Sequence, residues 1–226
     1  MAFRSYGKWA GRVQMLVLAA IVAAVAPAAA QPAGAGRPLK IVAFGDSLTA
    51  GFGLPADAAF PARLQRALSR KGLAVEVANA GVSGDTSADG LARLDWSVPD
   101  DADAVILELG ANDALRGIDP QRTHAALDAI VQRLVARRIP VLLAGMRAPP
   151  NMGADYAQAF DAIYPDLAAA HALIFYPFFL DGVAAERGLN QGDGLHPTAA
   201  GVDVIVARLL PKAEELIARA RTARGP

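Results

Sequence analysis

The chain contains no cysteine. That absence excludes a disulfide framework, a thiolate metal site, a cysteine nucleophile and a lipidated cysteine behind an export signal. It has only three histidines, His124, His171 and His196, so no histidine cluster completes a metal site, and no metal or other cofactor is expected. Neither charge is in excess. With 22 basic and 22 acidic side chains there is no basic face for a phosphate backbone, and nucleic acid is not an expected partner. Aromatic residues are sparse at 6%, but 54% of the 226 residues are hydrophobic, enough to bury the core of one globular domain.

Long apolar runs are scarce too. The longest, "VQMLVLAAIVAAVA", follows Arg4, Lys8 and Arg12 without an acidic residue, and Pro27 closes it short of the roughly 20 residues a spanning helix needs. A basic head, an apolar stretch and small residues at Ala28 and Ala30 describe a secretory signal peptide over residues 1–30, cleaved after Ala30. A membrane anchor is the rival reading, and Pro27 weighs against it. The expectation is release to the periplasm or the exterior, with no stable membrane anchor. "QPAGAGRP", residues 31–38, is expected to be a flexible leader, and residues 39–226 one domain.

Within that domain short apolar runs alternate with helical patterns. "LKIVAF" (39–44), "AVEVANA" (74–80), "AVILELG" (104–110), "VLLAG" (141–145) and "LIFY" (173–176) read as strands buried on both faces, hence parallel. Residues 61–71, 123–138 and 156–172 space apolar side chains by three and four, as helices packed on a sheet do. A closing helix over 198–220 contains Pro211, where a kink or break is expected. This alternation predicts an α/β doubly wound sandwich with a five-stranded parallel sheet, whose ligand site lies beyond the carboxyl ends of the strands.

Chemistry-bearing residues fall at that edge. Ser47 lies three residues past the first strand, in "FGDSLTAGFG". His196 lies in the loop "GDGLHPTAAG", with Asp193 three positions earlier. A carboxylate and an imidazole so spaced on one turn can bond to each other, fixing the ring tautomer while the other nitrogen takes a serine proton. Asn112 follows the third strand and can donate to a developing oxyanion, and Gly84 follows the second and can present its backbone N–H.

Each of these residues also has a plain structural reading. Ser47 can be a turn hydroxyl; Asn112 and Asp113 can form an Asx turn, with Asp113 the better structural candidate. His196 can be a helix-entry residue, and His124 and His171 fit surface or capping positions. "GFGLPA" (51–56) matches a dinucleotide fingerprint, but Pro55 interrupts where a helix should open. No G-x-S-x-G elbow occurs.

Taken together, the blocks Gly45-Asp46-Ser47-Leu48, Ser83-Gly84-Asp85-Thr86-Ser87, Gly110-Ala111-Asn112-Asp113 and Asp193-Gly194-Leu195-His196-Pro197 resemble the four signature blocks of the GDSL, or SGNH, hydrolases. "GLARL", "LRGIDPQ", "AFDAIYPDLA" and "PFFLDGV" extend the similarity toward the arylesterase, acyl thioesterase and lysophospholipase group. The resemblance implies a flavodoxin-like three-layer sandwich and a serine esterase or thioesterase acting on aryl esters, acyl-CoA or lysophospholipids through an acyl-enzyme. It implies Ser47 as nucleophile, an Asp193 and His196 pair, and an oxyanion hole from Ser47, Gly84 and Asn112. Two departures from the family's pattern lie beside the site: "GMRAPPNMGADY" (145–156) carries Pro149, Pro150 and Met152 in what the family uses as an acyl-contacting loop, and "GIDPQ" supplies Ile118. Leu115, Ile118, Met146, Pro149 and Phe178 are the candidate substrate contacts, Phe178 and its neighbour Phe179 because they follow the fifth strand. A carbohydrate O-deacetylase with the same machinery, and a non-catalytic lipid- or glycan-binding module on the same fold, are the alternatives.

Overall fold

The computed structural model describes residues 37–224; the expected signal peptide and residues 31–36 of the leader lie outside the described residues. Five strands form one parallel sheet: β1 (Leu39–Gly45), β2 (Val75–Gly81), β3 (Ala104–Glu108), β4 (Val141–Ala144) and β5 (Ile174–Tyr176), in the order β2-β1-β3-β4-β5. All five residues of β3 and all four of β4 are buried, which is why they read as apolar runs, broken only by Glu108 at the end of β3.

The described residues form seven α-helices: α1 (Ser47–Ala50), α2 (Phe60–Arg70), α3 (Ser87–Ser97), α4 (Ala111–Leu115), α5 (Pro120–Ala136), α6 (Ala154–Ala170) and α7 (Ala199–Arg224). Helices α2 and α7 pack together over one face, and α3, α5 and α6 form the layer on the other. The expected α/β sandwich of three layers is therefore the observed one. Arg37 and Arg224, at the two ends of the described chain, both bind the Asp103 carboxylate.

One expectation changes, and one helix had no counterpart in the sequence patterns. Pro211 does not end the last helix, which runs unbroken over 26 residues. Pro211 and Ala207, one turn before it, are both exposed, so the carbonyl left without an N–H partner lies on the solvent side. Helix α3 was not visible as an apolar period, because Gly90 sits in its middle. A side chain there would press on Leu109 Cδ1 and force it to shift, so glycine lets α3 approach the end of β3 with Leu109 in place. The local signal that does mark α3 is its capping box, Thr86 with Asp89.

The strand order places a switch point between β1 and β3. From β1 the chain crosses to β2 on one side and then to β3 on the other, so the connections leave in opposite directions and open a crevice at the carboxyl ends of β1 and β3. Ser47 follows β1 and Asn112 follows β3. The topology alone brings them together.

Candidate active site

Ser47 opens a one-turn helix directly after β1. Asp46 caps it, its Oδ1 accepting the Leu48 N–H at 2.9 Å, and Gly51 closes it at φ 81°. The chain reverses tightly enough that a side chain on Gly45 would run into Thr49 and Glu108. The reversal aims Ser47 Oγ outward at the strand edge.

Ser47 Oγ lies 3.0 Å from His196 Nε2, and His196 Nδ1 lies 2.6 Å from Asp193 Oδ2. The other Asp193 oxygen accepts the backbone N–H of Leu195 at 2.9 Å and of His196 at 3.0 Å. One carboxylate therefore shapes the loop and orients the ring it carries. The N–H groups and imidazole of that loop hold the Asp193 carboxyl down at about 2, so it is ionised across ordinary pH. Two residues outside the sequence reading fix the loop: Gln191 Nε2 donates to the carbonyls of Phe52 and Pro197, and the Phe52 ring lies 4.5 Å from the imidazole.

The backbone N–H groups of Ser47 and Gly84 have no hydrogen-bond partner among the described residues. Gly84 sits at φ 89°, a conformation natural to glycine, with its carbonyl held by Arg116 Nη2 at 2.8 Å. Asn112 stands differently from a simple free donor. Its Nδ2 already donates to Asp46 Oδ2 at 3.1 Å and to the Asp85 carbonyl at 2.9 Å. Asp113 is buried and binds Ser87 Oγ and Thr123 Oγ1, the structural part expected of it.

Beneath the serine lie groups to which the sequence reading assigned no role. Arg93, 7% exposed, spans Gly45 and Ala80 carbonyls, Asp85 and Ser97, with its guanidinium over the Phe44 ring. It ties the ends of β1 and β2 to the turn that carries Gly84. Glu108 is wholly buried, accepting from Thr49 Oγ1 at 2.7 Å through one oxygen while the other has no partner among the described residues. Burial pushes Glu108 well up and Asp46 to about 7. A single acid inside the apolar run of β3 was the visible signal.

A cavity of about 540 Å³ opens from Ser47 and His196, walled among others by Leu115, Met146, Ala148, Pro149, Pro150 and Phe178. Ile118 is not in that wall. Its carbonyl accepts from Tyr156 Oη, which turns its segment toward α6. Met152 is also outside, and Phe179 is fully buried against Phe60 in the core. Asn190, not singled out by its sequence, joins the wall; its Nδ2 holds the Val183 and Glu186 carbonyls while its Oδ1 is buried without a partner among the described residues. His171 caps α6 and binds Asp128, as a structural histidine does. Among the described residues no group of three or more histidines or acids converges as a metal site, and no helix is long and apolar enough to cross a membrane.

A serine, an imidazole and a carboxylate in line at the switch point of a doubly wound sheet is the arrangement of a serine hydrolase. The comparisons with known proteins agree: the GDSL-like lipase/acylhydrolase family matches residues 43–204, and the chain belongs to that family. It is 38% identical over 178 residues to esterase TesA of Pseudomonas aeruginosa, spanning 78% of this chain and 89% of that protein. It is 42% identical over 158 residues to the Escherichia coli protein named thioesterase 1/protease 1/lysophospholipase L1, spanning 70% of this chain and 74% of that one. The crystal structure of AlinE4, a SGNH-hydrolase family esterase, matches with a TM-score of 0.68 and 45% identity over 80% of this chain and 97% of that one.

Proposed function

We propose that this protein hydrolyses carboxylic esters and thioesters of acyl or aryl type, with Ser47 as nucleophile. The observation that carries the reading is the continuous line from Ser47 Oγ through His196 to Asp193, with contacts of 3.0 and 2.6 Å. His196 Nε2 takes the Ser47 proton as Oγ attacks the carbonyl carbon, and Asp193 steadies the imidazolium that results. The tetrahedral oxyanion draws on the Ser47 and Gly84 N–H groups and on the Asn112 amide, whose longer bond, to Asp46, is the one given up. His196 then protonates the leaving oxygen or sulfur. Water, deprotonated by the same ring, attacks the acyl-enzyme and frees the acid and Ser47. The apolar wall suits an acyl chain, with Leu115, Met146, Pro149 and Phe178 as contacts; Ile118 is withdrawn from that role.

The basic and then apolar composition of residues 1–30 supports export, with a mature chain beginning at Gln31. Mass spectrometry of exported protein treated with a fluorophosphonate tests both parts. One adduct on Ser47, absent from Ser47→Ala, is the expected result, on a chain starting at Gln31. An unlabelled but folded protein would mean a binding module instead, and a chain that keeps residues before Pro27 would revive the anchor.

A further inference from the structure

The cavity beside Ser47 is walled mainly by apolar side chains, and its charge is lopsided. Arg147 and His196 alone among the lining residues are ionisable bases, and no carboxylate lines it. His196 is paired with Asp193. The Arg147 guanidinium has no ion pair and no hydrogen bond among the described residues; it lies over the Phe178 ring, 4.9 Å from the centroid. Of the arginines outside the wall, Arg116 holds the Gly84 carbonyl and Arg93 holds Asp85 and the strand-end carbonyls, while Arg187 is exposed and not part of the wall. Arg147 is the cation of the wall itself that has no partner among the described residues.

Phe178 gives that cation a place. A guanidinium stacked on an aromatic face keeps its edge donors free in one plane, the geometry that meets two oxygens of a phosphate or carboxylate. Arg147 is exposed, so its guanidinium faces solvent. A bound ester that covers it leaves the charge facing substrate at reduced dielectric, where an opposite charge is worth more. Arg147 follows β4, two strands from β1, and a strand spacing of about 4.8 Å sets the two strand ends roughly 10 Å apart. The group it meets is therefore several bonds from the carbonyl that Ser47 attacks.

We propose that Arg147, steadied by Phe178, selects ester and thioester substrates carrying an anionic oxygen group, phosphate or carboxylate, several bonds from the scissile carbonyl. This rests on the hydrolase reading above. The anion has two possible sources, a phosphate on the leaving group or a carboxylate at the far end of the acyl chain. Two substrate pairs separate them: 1-octanoylglycerol 3-phosphate against 1-octanoylglycerol, and mono-p-nitrophenyl suberate against p-nitrophenyl octanoate.

The readout is the ratio of kcat/KM for the anionic member to that for the neutral one. Arg147→Gln should lower one ratio by roughly three- to tenfold, the span between an exposed and a partly desolvated charged contact. Arg147→Glu should lower it further, and Arg147→Lys should fall less than Arg147→Gln. Added salt should reduce the ratio for the unmodified enzyme more than for Arg147→Gln. A fall confined to the glycerol ester pair assigns the leaving group, and one confined to the p-nitrophenyl pair assigns the acyl end; either upholds the proposal. Ratios that stay put in both Arg147→Gln and Arg147→Glu refute it. Failure of the unmodified enzyme to cleave even the neutral esters would instead overturn the hydrolase reading, so the two failures are distinct.

Discussion

Asparagine at position 193 separates the two tasks of that carboxylate. Oδ1 accepts two backbone N–H groups at 2.9 and 3.0 Å, and Oδ2 accepts from His196 Nδ1 at 2.6 Å. Asparagine has one acceptor oxygen and one donor amide. If the oxygen stays on the backbone, the amide faces Nδ1, which must shed its proton. The ring proton then sits on Nε2, pointing at Ser47 Oγ, and the base is lost. The opposite orientation restores the imidazole bond but turns the amide toward two backbone donors. Losing two backbone bonds at about 1 kcal/mol each, with both donors left opposed, costs about 2–4 kcal/mol. That leaves about one molecule in 30 to one in 1,000 competent, and even those lack the negative charge beside the imidazolium. Asp193→Asn should therefore reduce kcat/KM on p-nitrophenyl butyrate by about 10³–10⁴-fold, in the range known for the equivalent change in serine proteases. Fluorophosphonate labelling should slow in step, and thermal stability should change little because the backbone bonds survive. A loss under about tenfold would mean that something other than Asp193 sets the tautomer, and the proton path would have to be redrawn.

Asn112→Ala should lower kcat by about 10²–10³-fold with KM little altered, because the missing donor meets charge that exists mainly in the transition state. It also strips a donor from Asp46 and the Asp85 carbonyl, so denaturant melts should show a cost of about 1–3 kcal/mol; a raised KM at constant kcat would refute the oxyanion role. Glu108 is pushed well above its ordinary value of 4.5 by burial, so above that pH the folded state holds a proton that the unfolded chain has released. Its contribution to stability therefore declines as pH rises past 4.5. Glu108→Gln removes that titration while keeping an acceptor for Thr49, and its stability should fall less steeply than the unmodified protein's from there toward alkaline pH; parallel curves in denaturant melts would show that Glu108 is not held neutral.

Much of this protein is local information and could be read from the chain. Apolar runs define the five strands because a parallel strand buried on both faces tolerates few polar side chains. The Asp193 and His196 contact needs only a three-residue turn, so spacing alone announces it. Ser47 and Asn112 fall at strand ends, and the α/β alternation alone puts them at the ligand edge. Other features depended on which segments become neighbours. The two partners that occupy the Asn112 amide come from 66 and 27 residues away, and Gln191 reaches Phe52 across 139. The same lateral packing put Phe178 on the cavity and its neighbour Phe179 in the core, turned Ile118 away, and left Arg147 over an aromatic ring without a partner among the described residues. Sequence spacing determines what meets within one turn or one strand. Which distant side chains share a donor, or leave a charge free, is decided only when strand order and close packing assign each one its neighbours.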